Sequence, residues 1–229
     1  MFATDDRRAF EATADVARGN SAIELKYRDL AKQISRDFGT EVLNITQDWI
    51  GVKRDQIRLW IWFRTAAESK AFRDPNGNFD GAKQQAVIVA AGRTLSRLRT
   101  PKRGILPGPR AKAKDTLVIF CDFESPARDN AFAAVSGRGD EQVRNSLDNP
   151  DLWKVMSLWS NVVFFVYTEE QAARYANGAE RERWRLAYWQ LVHPFDEFGF
   201  APLESFQIKV DSKETFENKF EGSSYYYFL

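Results

Sequence analysis

A chain of 229 residues that is 44% hydrophobic, with 18 Phe, 7 Trp and 7 Tyr, has ample apolar surface to bury, which excludes disorder throughout. Its net charge of +1 supplies no global attraction to nucleic acid or to an anionic membrane, so any such attraction must be local. One cysteine, Cys121, and one histidine, His193, exclude an intramolecular disulfide, a cysteine-rich zinc cluster and a metal site needing two imidazoles.

In chain order, residues Asp5 to Ala17 predict a first helix with Ala9, Phe10, Thr13 and Val16 on one side. A second, stronger helix follows. Ser21 and Glu24 have capping-box spacing, Ile23, Tyr27, Leu30, Ile34 and Phe38 recur at helical intervals, and Gly39 suits a C-terminal stop. Thr40 to Ile50 reads as a strand, Gly51 to Asp55 as a turn, and Ile57 to Arg64 as the strand that completes a hairpin. A short helix after Thr65, a break at Asp74–Asn78 and a helix over about 81–98 come next. The Pro- and Gly-rich segment 100–114 is the clearest linker. Beyond it the pattern predicts a strand, a helix, two helical pieces near Glu141–Leu147 and Leu152–Trp159, a strand, two helices, a strand, a helix and a terminal aromatic strand Tyr225–Leu229.

One phrase recurs at Thr65, Ser125, Thr168 and Ser212: a β-branched and aromatic run, then a hydroxyl residue placed as a helix N-cap. The fold class expected is α/β or α+β, a mixed sheet flanked by helices. Residues 57–98 with 116–135 match 161–192 with 206–220 as two β-α-α-β-α halves. A duplication accounts for this order, as does the ordinary rhythm of any α/β chain. The chain is read as one compact unit, 1–229, with internal halves 21–99 and 115–229 joined by segment 100–114.

No apolar stretch approaches the ~20 residues that span a bilayer, so no membrane helix is expected. Met1–Asp6 lacks the basic and apolar regions of a secretory signal, and a cytoplasmic location is expected.

Asp122 and Glu124 are the first catalytic candidates. Two apart at a strand end, they leave the same face and can hold a divalent metal that activates water. The string Val118–Ser125 resembles, over about eight residues, the first motif of DEDD-type 3′–5′ exonucleases, where Asp-x-Glu closes a strand. That resemblance implies metal-dependent phosphodiester cleavage. The chain departs from the family where Ser125-Pro126 opens a helix instead of a further strand. The plainer role for both carboxylates is to end a strand and favour a helix N-terminus.

His193, near Asp196 and Glu197, is a candidate acid–base group or a helix-end histidine meeting the last carbonyls. Asp74–Asp80 resembles the start of a calcium loop, but Phe79 and Gln85 stand where Gly and Glu are required, so a polar turn is expected. No Gly-x-Gly-x-x-G or Walker loop follows a predicted strand, and no cofactor is expected.

Arg93, Arg97, Arg99, Lys102, Arg103, Arg110, Lys112 and Lys114 form a block without acids, suited to phosphates or to an acidic partner. Tyr225, Tyr226, Tyr227 and Phe228 cannot all point inward from a strand, so part of that tail presents aromatic surface to a partner. The first functional expectation is a non-catalytic protein-binding module: an inhibitor, an immunity-type factor or an assembly factor. The alternatives are a metal-dependent nuclease or phosphate-processing enzyme using Asp122 and Glu124, and a nucleic-acid binder using residues 93–114. Another protein is the expected partner.

Overall fold

The computed structural model describes residues 4–51, 56–97 and 116–229, with side chains described for 6–51, 56–93 and 116–229. The fold is mixed α/β, with two three-stranded sheets flanked by helices among the described residues. Contacts divide the chain into two compact units, 1–126 and 127–229. Segment 100–114, expected to join two halves, lies outside the described residues.

The first unit contains α1 (Thr4–Ala17), α2 (Leu25–Phe38), β1 (Asn44–Ile50), β2 (Gln56–Phe63), α3 (Ala66–Lys70), α4 (Gly81–Arg97) and β3 (Thr116–Asp122), and α5 (Glu124–Ala133) begins in it. Strands β1 and β2 pair antiparallel, with Ile45 opposite Ile61, and β2 pairs parallel with β3, with Phe63 opposite Asp122. Period-two alternation puts Ile45, Leu59, Ile61, Phe63, Val118 and Phe120 on one face, in a common core with Tyr27, Leu30 and Ile34 of α2 and Val87 and Ala90 of α4. Each fully buried side chain of this kind stabilises the fold by roughly 1.5–3 kcal/mol.

The opposite face is polar where it can be satisfied. Asp48 Oδ1 accepts from Arg58 Nε at 2.9 Å and from Trp60 Nε1 at 3.0 Å, Trp62 Nε1 donates to Thr46 Oγ1 at 3.1 Å, and Asn44 Nδ2 donates to Thr13 Oγ1 of α1 at 3.2 Å. Partial burial raises the Asp48 carboxyl, but the hydrogen bonds from Arg58 and Trp60 outweigh it and hold the group below its usual value.

The second unit contains α6 (Arg138–Leu147), β4 (Leu152–Leu158), β5 (Asn161–Val166), α7 (Glu169–Tyr175), α8 (Ala179–Val192), β6 (Lys209–Ser212), α9 (Lys213–Phe220) and α10 (Ser224–Phe228). Here β4 pairs antiparallel with β5, and β5 pairs parallel with β6. One face (Val155, Val162, Phe164, Val166) shares a core with Val143 of α6 and Trp184 and Tyr188 of α8. Met156, Val163 and Phe165 share the other with Phe216 of α9, and Trp153, Tyr227 and Phe228 pack against them.

The order helix, hairpin, helix, helix, parallel strand, helix therefore occurs twice, over α2–α5 and over α6–α9, with the same strand pairing. The capping boxes Thr65–Glu68 and Thr168–Gln171 form at matching places.

Four expectations are corrected. Leu152–Leu158 is strand β4, not a helix, so each repeated half opens with a hairpin. The terminal Tyr-rich segment is a helix, not a strand, started by Ser223 Oγ, which accepts the Tyr226 N–H. Ser21 caps nothing: α2 starts after Glu24 with no side-chain cap. At the second junction the capping group is Asp122 rather than Ser125: Asp122 Oδ1 accepts the Ser125 N–H at 2.6 Å. Carboxylates cap as well as hydroxyls.

Candidate protein-binding groove

In the second unit, β4 is a sheet edge. Its hairpin turns through Trp159 and Ser160, with Leu158 opposite Asn161 and Trp159 at φ 50°. A two-residue turn of this kind makes residues 158, 156 and 154 the ones that bond β5 and leaves the backbone groups of 157 and 155 facing outward, and beyond the register shift at Leu152–Lys154 the Trp153 carbonyl faces outward too.

Side chains of α6 take two of these outward groups. The Ser157 N–H donates to Asp140 Oδ2 at 3.2 Å, and Arg144 Nε donates to the Trp153 carbonyl at 2.8 Å. Val155, between them, turns its N–H and C=O outward, and no described residue takes either. A groove of about 810 Å³ runs along this edge, with α6 lining one side and Ser224, Tyr225 and Phe228 of α10 lining the other.

Each wall has its own anchor. Asp140 is buried, with Oδ1 accepting from Tyr188 Oη at 2.7 Å and Ser157 Oγ at 3.0 Å, while Oδ2 accepts the Gly137 N–H at 3.0 Å. Burial, and then the Asp140 charge, push the Tyr188 hydroxyl well above its ordinary value, so it stays a donor. On the other wall, Tyr227 Oη donates to Asp211 Oδ2 at 2.6 Å, and Lys209 Nζ lies 2.8 Å from the same oxygen. Burial raises the Asp211 carboxyl, but bonds from Lys209, Tyr227 and the Ser212 N–H prevail and hold it below its usual value. Tyr227 is thereby turned inward, whereas Tyr225 and Tyr226 are 67% and 55% exposed.

Charge is unevenly spread along the groove. Arg144 and Lys154 lie near the start of β4, and Glu141, adjacent to the Asp140 that reaches Ser157, lies near its end. Neither Lys154 nor Glu141 has an ion-pair partner among the described residues.

The other sequence candidates lie elsewhere. Glu124 Oε2 accepts the Ala66 N–H at 2.9 Å, so with Asp122 capping α5 both candidate carboxylates hold helix starts. Among the described residues no three of His, Cys, Asp and Glu gather to hold a metal ion. His193 ends α8 and stacks on Trp189 at 4.4 Å. Burial, and then the Asp122 charge, push the Cys121 thiol up to about 12. Asp74 Oδ1 accepts the N–H groups of Asn76 and Asn78, giving a closed polar turn. Arg93 is an exposed residue of α4; the Arg97 side chain and Arg99, Lys102, Arg103, Arg110, Lys112 and Lys114 lie outside the described residues.

Of the residues that build the groove, Tyr225 and Phe228 are among the aromatic candidates of the sequence, whereas Asp140, Lys154 and Val155 carry no local signal: Asp140 caps from a turn without a hydroxyl, and the spacing around Lys154 and Val155 imitates a helix. No described helix is long and apolar enough to cross a membrane. Neither a family model nor a curated protein matches this chain.

Proposed function

We propose that the chain is a non-catalytic protein-binding module of the inhibitor, immunity-type or assembly kind, acting in the cytoplasm and presenting the aromatic surface of α10. The observation that carries this reading is the groove along β4, walled by Tyr225 and Phe228, with unpaired backbone at Val155. Tyrosine-walled grooves beside open sheet edges suit protein partners, because ring and backbone supply contact and direction together. The enzyme reading is ranked lower, since Asp122 Oδ1 and Glu124 Oε2 each accept a backbone N–H.

The test is capture from the native host by the full chain and by Tyr225→Ala and Tyr226→Ala variants, read by mass spectrometry. A stoichiometric protein lost with Tyr225→Ala supports the reading. Co-purifying nucleic acid in place of protein, released by charge reversal of Lys102, Arg103, Arg110 and Lys112, would replace it with the nucleic-acid alternative.

A further inference from the structure

Resting on the protein-binding reading, we infer that the groove receives an extended segment of a partner protein, added alongside β4, with an acidic side chain at the Lys154 end and a basic one at the Glu141 end. An added strand takes hydrogen bonds from outward backbone groups, and Val155 offers one N–H and one C=O at the middle of the groove. The five lining residues 154–158 span about 13 Å at ~3.3 Å per step, the length of a short strand.

The charges set what that strand carries. Lys154 has no ion pair among the described residues and stands at the same end as Arg144. Glu141 is likewise unpaired and stands toward Ser157, while Asp140 beneath it is already committed to Tyr188, Ser157 and Gly137. A complementary segment therefore places its acid and base about three or four residues apart, near 10–13 Å. Between them, an apolar side chain meets Tyr225 and Phe228 on the α10 wall. A second copy of the chain fits less well, because its own β4 edge is flanked by the same two helices.

The probe is a phage-displayed library of random peptides about nine residues long, selected on the full chain, with dissociation constants then measured for synthetic copies of the enriched sequences. The expected result is enrichment of sequences carrying an acid and a base about four residues apart around an apolar residue. Lys154→Glu, at an exposed position that leaves the core intact, weakens them about tenfold or more. Selection on that variant enriches a base where the acid stood. Val155→Pro removes the outward donor and also abolishes binding where that variant folds.

Three results would overturn the inference: no enrichment, enriched peptides indifferent to Lys154→Glu, or a dimer in sedimentation that Lys154→Glu dissociates. Host capture separates the two levels. A partner lost with Tyr225→Ala but kept with Lys154→Glu leaves the protein-binding reading standing and removes the strand.

Discussion

Glu124 and Glu214 hold the same post in the two units. Glu124 accepts the N–H of Ala66, the first residue of α3, at 2.9 Å, and Glu214 accepts the N–H of Glu169, the first residue of α7, at 2.8 Å. In each case the helix following the third strand caps the helix following the second. The matching caps on their own helices, Asp122 to the Ser125 N–H and Ser212 Oγ to the Thr215 N–H, complete a clasp used twice. This equivalence supports duplication more strongly than element order does, because it repeats at the level of individual hydrogen bonds.

Glu124→Ala and Glu214→Ala each leave one helix N–H without its partner and are expected to cost about 1–2 kcal/mol. Urea unfolding checks this. A catalytic carboxylate held in a repulsive cluster gives the reverse sign, so a stabilised Glu124→Ala variant would raise the enzyme reading above the binding-module reading.

Asp140→Ala strands the buried Tyr188 hydroxyl and removes the acceptor of the Gly137 and Ser157 N–H groups, and an expected loss of about 2–4 kcal/mol follows. Tyr188→Phe removes only one donor and costs about 1 kcal/mol. Because the residues share one network, the double variant is expected to cost less than the sum.

Asp48 and Asp211 are both held below the usual carboxylate value in the folded chain. A depressed carboxyl contributes stability that is present above its unfolded pKa of about 3.9 and lost as pH falls through the folded value. The urea midpoint is therefore expected to hold from about pH 7 to 5 and to drop below about pH 4. Asp211→Asn makes that acid drop shallower while lowering stability at neutral pH, since the bonds from Lys209 and Tyr227 weaken.

With its thiol raised to about 12, Cys121 holds almost no thiolate at neutral pH. Iodoacetamide at pH 8 is expected to label the native chain at least about tenfold more slowly than the urea-unfolded chain. Equal rates would show that the thiol is reachable and ionised in the fold.

Two segments depart from what their sequence pattern predicts, each for a physical reason. In β4 a register shift between Leu152 and Lys154 breaks the period of two. Leu152 and Val155 come to share one core while Trp153 and Met156 join the other, and spacings of three imitate a helix. In α10 the β propensity of three tyrosines yields to the Ser223 cap and to the Tyr227 ring, which meets Phe165, Phe216 and Phe220 edge-on. Both segments line the groove, so its aromatic residues were legible as exposed surface but its shape was not.

Local chemistry in the sequence determined the strand-to-helix junctions, the capping boxes of Thr65 and Thr168 and the order of most elements, because these rest on neighbours within four residues. The tertiary structure alone decided that β4 is an edge, that Asp140 and Asp211 anchor the two groove walls, and that the Val155 backbone turns its N–H and C=O outward with Lys154 and Glu141 beside it. Those facts depend on contacts between residues tens of positions apart, which no local spacing records.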